Sequence, residues 1–372
     1  MSRPIYQLQI VRAVAATVVV VFHAQGELVH RGFADPFPSL TIGAFGVDLF
    51  FVVSGFIMVV ASERLFGRPG AALSFMAKRV VRVAPLYWLF TAAFTGIAIG
   101  LGHLPGHPRA SATHIVASFL FLPALRPDDG AYFPVYSLGW TLNYEMFFYL
   151  CFASVLALAR GRAVAALSAG LIGLVLVGRL VALPWPLFYW ADPIVLEFVF
   201  GLWLGFAHRA GWRMPVRAGT ALAVAAVVGA WLYVPFINSA ADWRGLAWGL
   251  PAATLVAWAL GIGEPGTSLP ARAATRLGDA SFSLYLVHSA LFIVVFYALS
   301  KVMTPQRLPP VAYMALLVGS SVAAALALYR WLEAPMTRRL QAAVARSTAA
   351  RPARAVTATR GSRPLAGSGR TG

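Results

Sequence analysis

The sequence predicts an all-α, polytopic integral membrane protein of about ten transmembrane helices, with both termini in the cytoplasm. Three observations predict it. Of 372 residues, 59% are hydrophobic and 12% are charged, about half the charge of a soluble domain. Apolar runs long enough to cross a bilayer recur from end to end. Lys and Arg are also divided unequally between alternate loops.

The expected spans are 8–28, 43–63, 84–102, 137–158, 163–182, 192–208, 217–235, 244–262, 281–300 and 312–332. The first is read as a retained helix and not a cleaved leader, because it lacks an A-x-A-like site. The stretch 113–122 is apolar but too short to span, and is expected to lie re-entrant or interfacial. Gly- and Pro-rich junctions such as 183–186 (LPWP) and 263–266 (GEPG) separate the later spans. The loops on the N-terminal side carry Arg3, Arg64, Arg68, Lys78, Arg79, Arg82, Arg160, Arg162, Arg209, Arg213, Arg217, Arg272 and Arg276. The opposite loops carry only Arg31, Arg109, Arg126, Arg244, Lys301 and Arg307, so the richer set is assigned to the cytoplasm. Residues 1–340 form the membrane domain in this reading. Residues 341–372, with Arg346, Arg351, Arg354, Arg360, Arg363 and Arg370, form a basic tail with too few large apolar residues to fold.

The net charge of +17 follows from that tail and those loops, so nucleic acid is not an expected partner. The lipid bilayer is. Cys151 is the only cysteine, which leaves no intramolecular disulfide, and no spacing of ligands calls for a metal.

Ionisable residues inside the spans mark function by default. Arg12 and His23 lie eleven residues apart in the first span. That is about three helical turns, so they share a face, roughly 16 Å apart along the axis. A cation near the cytoplasmic end and an imidazole near the outer end suit a site that grips an anion and does chemistry deeper in. Asp48, in GVDLFFVVSGF, begins the second span at a depth close to that of His23. It either accepts from one His23 nitrogen, fixing the tautomer, or faces the positive end of its own helix. In FMAKRVVRVAPLYW, Arg79 and Arg82 are three apart and project from one side, with Lys78 adding a third charge, before Pro85 ends or kinks the helix. Such a pair can hold phosphate, although the positive-inside rule alone places basic residues there.

Glu145, in YSLGWTLNYEMFFYL, lies about two turns into the bilayer among Trp140, Tyr144 and Tyr149, and needs a partner, with Arg12 or His23 the candidates. RLGDASFSLYLVH brings Ser281, Ser283, Tyr285 and His288 into the ninth span. The hydroxyls read as interhelical glue. Trp140, Tyr144, Tyr285 and His288 are the candidates for contacting substrate. Glu333, in LEAPMTRR, is expected to pair with a basic loop.

These motifs together resemble the acyltransferase 3 family of bacterial inner-membrane acyltransferases. The resemblance rests on LQIVRAVAATVVVVFH, GVDLFFVVSGFIM, FMAKRVVRVAPLYW, SLGWTLNYEMFFYL, EFVFGLWLG, LGDASFSLYLVH and LEAP, in that order from residue 8 to about 340. It implies ten transmembrane helices in a bacterial inner membrane. It also implies transfer of an acyl group, usually acetyl, from cytoplasmic acyl-CoA to a carbohydrate or related acceptor. The functional residues it implies are Arg12, His23, Arg79, Arg82 and Glu145, which makes the Arg79/Arg82 phosphate grip the favoured reading. Some members carry an additional esterase domain, for which the short tail has no room. Compact members act on exopolysaccharides, O-antigen units, Nod factors or macrolides, and polysaccharide biosynthesis or export proteins are the expected associates.

On this reading the arginines hold the coenzyme A phosphates, and His23 either takes the proton of an acceptor hydroxyl or carries the acyl group itself. A transporter or flippase is the rival class, but it would often show an inverted repeat or paired broken helices, and neither is seen. A scaffold without chemistry is the other rival, and it would tolerate loss of His23.

Overall fold

The computed structural model describes residues 5–33, 35, 40–102, 109–237, 243–264, 266 and 268–349. Among them helix is the only regular element beyond an isolated bridge between Leu125 and Tyr132. The helices are α1 (Tyr6–His30), α2 (Gly46–Ala61), α3 (Ala71–Leu101), α4 (Ala112–Phe119), α5 (Trp140–Val155), α6 (Arg160–Leu180), α7 (Leu187–Trp190) and α8 (Leu196–Arg209). They continue with α9 (Val216–Tyr233), α10 (Arg244–Ala247), α11 (Gly249–Gly261), α12 (Leu269–Asp279), α13 (Ser281–Ser300), α14 (Pro310–Leu328) and α15 (Ala334–Ala349). Seven helical stretches among the described residues are long and apolar enough to cross a membrane: Tyr6–His30, Leu40–Ala61, Ala71–Leu101, Arg160–Leu180, Val216–Phe236, Ser281–Ser300 and Pro310–Arg346. The other three expected spans hold the shorter helices α5, α8 and α11, of 16, 14 and 13 residues. The apolar stretch 113–122 holds α4, of only 8 residues.

Two differences from the sequence reading shape the site. Pro85 lies inside α3, which runs unbroken for 31 residues. A proline removes one donor from the helical ladder, and membrane helices tolerate this where neighbouring elements pack around the gap. Arg79 and Arg82 therefore sit on the same rigid rod as the span that follows them. At the other end of the chain, α15 continues to Ala349, past the boundary expected at residue 340. Its Ala, Arg, Leu and Gln residues are strong helix formers. The remainder of the expected tail lies outside the described residues.

Close helix contacts are made where side chains are smallest, the rule for packing without a hydrophobic gradient. The crossing of α2 and α8 is the clearest. A Cβ on Gly55 would stand 2.3 Å from the Phe198 carbonyl, and one on Gly201 would stand 2.1 Å from the Val52 carbonyl. Gly46 lies against the Ala15 carbonyl in the same way, and Gly278 against that of Gln9. Gly201→Ala should therefore destabilise the bundle by about 1–3 kcal/mol, the usual cost of overpacking. Gly170→Ala, where a Cβ meets nothing within 4 Å, should be neutral or slightly stabilising. Thermal unfolding of the two variants in detergent checks the contrast; equal melting temperatures would mean the α2–α8 crossing yields easily.

Candidate active site

One end of the bundle opens into a cavity of about 640 Å³. Its lining brings Arg12 of α1 and Lys78, Arg79 and Arg82 of α3 together with Glu145 and Tyr149 of α5 and Ser281 and Tyr285 of α13. The lining follows α2 from Ala61 to Val47, roughly 21 Å at 1.5 Å per residue. The cavity is thus a long slot in which four cations share the lining with aromatic and apolar side chains.

The cationic groups are only partly engaged by the protein. Arg12 donates to Gln9 Oε1 at 3.2 Å. Arg79 lies 5.3 Å from the Phe75 ring centroid and 5.9 Å from that of Tyr149, and its Nε is buried with no acceptor. A buried guanidinium donor without an acceptor is costly, and at the wall of an open slot it can be satisfied by an anionic ligand. Ser281 Oγ, in the lining of the same cavity, is a second buried polar atom without a partner among the described residues. At the nearby end of α12, burial raises the Asp279 carboxyl above its ordinary value, against the pull of Arg12 and Arg82.

Glu145 differs from expectation in its partners. Among the described residues it joins no ion pair within 4.0 Å. It accepts instead from Tyr149, one turn away, and from Ser54 of α2 at 3.3 Å. Two hydroxyls thus bind its Oε1, and Arg12 and Arg79 act on it across the slot through their charge alone.

A second cavity of about 390 Å³ lies beside the later turns of α1, lined by Phe22, His23, Glu27, His30 and Arg31 together with Ser289, Phe292 and Ile293 of α13. His23 lines this cavity and not the first. Between the two stand Phe50, Tyr285 and His288. The Tyr285 ring centroid is 6.3 Å from that of Phe50 and 6.1 Å from that of His288. His288 is fully buried and stacks on His23 with ring centroids 5.0 Å apart. Its Nε2 lies 3.0 Å from His23 Nδ1, and its Nδ1 lies 3.1 Å from the Leu284 carbonyl.

The remaining expected residues are placed as follows. Asp48 does not meet His23: its buried carboxylate takes two bonds from Arg244, at 3.1 and 2.8 Å. Glu197, buried in the first turn of α8, lies beside this pair. Arg244 also lies 4.8 Å from the Trp248 ring centroid. The sequence reading treated Arg244 as a loop charge and gave Glu197 no role. A lone Arg next to Trp248, with two buried acids in separate spans, was the available signal. Tyr144 is a core residue, stacked on Tyr189 and donating to its carbonyl at 3.0 Å, and Trp140 packs edge-on against it. Neither lines either of these two cavities. Tyr285 lines the first cavity and donates to the Leu138 carbonyl at 3.0 Å. Among the described residues Glu333 makes no ion pair either; it accepts from Ser283 at 2.6 Å, at the π-helical turn 329–333 that joins α14 to α15.

Comparison with known proteins agrees with this chemistry. The acyltransferase domain family matches residues 5–330. The chain is similar to "Exopolysaccharide production protein ExoZ" of Rhizobium meliloti (strain 1021), at 34% identity over 321 residues, covering 86% of this chain and 95% of that protein. It is also similar to "Acyltransferase MdmB" of Streptomyces mycarofaciens, at 28% identity over 280 residues, covering 69% of each. No solved structure gives a significant match.

Proposed function

This chain belongs to the acyltransferase 3 family, and from that premise we propose that it moves an acetyl group from acetyl-CoA to a hydroxyl of an exported polysaccharide or its lipid-linked precursor. The observation that carries the reading is the first cavity: long, lined by four cations and by apolar and aromatic groups, and linked to His23 through Tyr285 and His288. Acyl-CoA has matching parts, a polyanionic head and a slender arm with the thioester at its tip. The similarity to a protein named for exopolysaccharide production supports the acceptor class.

In this reading ten helices cross a bacterial inner membrane and both termini face the cytoplasm, with the short α5, α8 and α11 completing the set. The first cavity then opens to the cytoplasm and the second to the outside. Residues 1–340 carry the chemistry, and the basic tail lies against anionic lipid. Partners from polysaccharide synthesis or export would meet the outer face, where the acceptor arrives.

Arg12, Arg79 and Arg82 bind the phosphates, with Lys78 beside them. With the Phe50 and Tyr285 side chains turned aside so that the thioester reaches the histidine pair, an acceptor hydroxyl from the second cavity gives its proton to His23 and attacks the thioester carbonyl. Collapse of the tetrahedral adduct breaks the C–S bond, and the departing thiolate takes the proton back from His23. Two cavities on opposite sides of the histidine pair allow both substrates to be bound at once, which favours direct transfer. Asp48 acts at a distance in this scheme: with Arg244 and Glu197 it braces the start of α2 against α8.

Mass spectrometry of surface glycans from a strain lacking the protein tests the assignment. Loss of acetyl from one sugar position is expected; an unchanged glycan profile would remove the polysaccharide as acceptor. Glu145→Gln tests the acid in the slot. It keeps the shape but removes the charge that Tyr149 and Ser54 solvate, so kcat should fall at least tenfold at a normal protein level. Acyl transfer at the wild-type rate would make the carboxylate a packing group.

A further inference from the structure

The hydrogen bonds of the histidine pair fix which nitrogen of each ring carries a hydrogen, and they do so in one direction. The Leu284 carbonyl can only accept, so His288 Nδ1, at 3.1 Å, must be the donor. His288 is fully buried, and among the described residues no carboxylate bonds to it. An imidazolium there would be an uncompensated buried charge, so the ring is neutral. A neutral ring with hydrogen on Nδ1 has a bare Nε2, which can only accept. The atom facing it at 3.0 Å is His23 Nδ1, which must therefore be the donor. Neutral His23 is then left with a bare Nε2.

We propose that His288 is a positioning residue that holds His23 in the Nδ1–H tautomer and so leaves its Nε2 lone pair free to take the acceptor's proton. The inference rests on His23 being the base. In water the opposite tautomer of histidine predominates, so without this contact the basic nitrogen would mostly be the one turned toward α13. A carboxylate often orients a catalytic imidazole; here a second imidazole, itself oriented by a main-chain carbonyl, takes that place. It adds no negative charge, so His23 is oriented without being made a strong base. The pair also does not drain protons. Its far end is a main-chain carbonyl, too weakly basic to take a proton onward, so a proton gained by His23 remains available to the leaving thiolate.

The test uses full-length protein in bilayers with 15N-labelled histidine, the His23 signals being assigned by their loss in His23→Asn. Solid-state NMR should show His23 with a protonated Nδ1 and an unprotonated Nε2. His288→Leu removes the acceptor, and His23 should shift toward the Nε2–H tautomer while kcat falls at least tenfold and the KM for acetyl-CoA holds. His288→Gln places an amide oxygen where Nε2 was, and should restore both the tautomer and most of kcat. Binding of coenzyme A, whose cavity does not include His288, confirms that each variant is folded. A protonated Nε2 on His23 in the wild type, or an unchanged tautomer in His288→Leu, overturns the inference. A changed tautomer with unaltered kcat instead overturns the role of His23 as the base.

Discussion

His23→Ala is expected to reduce acyl transfer by about 10²–10⁴-fold, the range that a positioned general base supplies. The protein should still insert and accumulate, because His23 lines a cavity and an alanine in its place leaves the α1 backbone unaltered. Coenzyme A binding should survive as well, since the first cavity does not include His23. The measurement is acetyl transfer from labelled acetyl-CoA by membranes that contain equal amounts of each protein. Transfer near the wild-type rate would place the chemistry elsewhere and return His23 to a role in packing.

The second large effect is expected from Arg79→Gln with Arg82→Gln. Each guanidinium offers a charge-assisted bond of about 1.5–3 kcal/mol to a phosphate. Losing both should therefore raise the KM for acetyl-CoA by about a hundredfold or more, while kcat at saturation changes little, the signature of lost uniform binding. Salt separates this from a folding defect. In the wild type KM should rise with ionic strength, because the cation-lined cavity is open to solvent and can be screened; in the double variant that slope should flatten. An unchanged KM would reduce the pair to topological charges.

How much of this was legible in the sequence depended on whether a residue acts within its own helix or across helices. The helical class and most span positions followed from hydropathy, which is a local property. The common face of Arg79 and Arg82 followed from helical spacing, also local. Partnerships between helices did not follow. Glu145 was matched to cations because a carboxylate in lipid needs compensation, yet Tyr149 and Ser54 supply it with hydroxyls. Asp48 was matched to His23 by depth, but the depths differ: α2 begins with Gly46 against the Ala15 carbonyl, eight residues before His23 in α1, and Asp48 there meets Arg244 instead. His288 was unreadable for a similar reason. The seating of Gly278 on the Gln9 carbonyl fixes how far α13 is raised along α1, and only then do the two imidazoles meet. The continuity of α3 through Pro85 was missed because proline penalties are learned from helices in water.

The thin wall between the two cavities has an electrical consequence. Where recesses open to solvent approach each other from opposite faces, most of the transmembrane voltage falls across the layer that separates them. In the proposed topology that layer would be Phe50, Tyr285 and the histidine pair, with ring centroids 6.3, 6.1 and 5.0 Å apart. Moving a full charge through 100 mV corresponds to about 2.3 kcal/mol. Charge shifts over a few ångströms in this layer would therefore feel a sizeable part of the cell's potential. A protein built this way must act as an insulator and as a reaction centre at the same few side chains, and its turnover would depend on how strongly the membrane is energised.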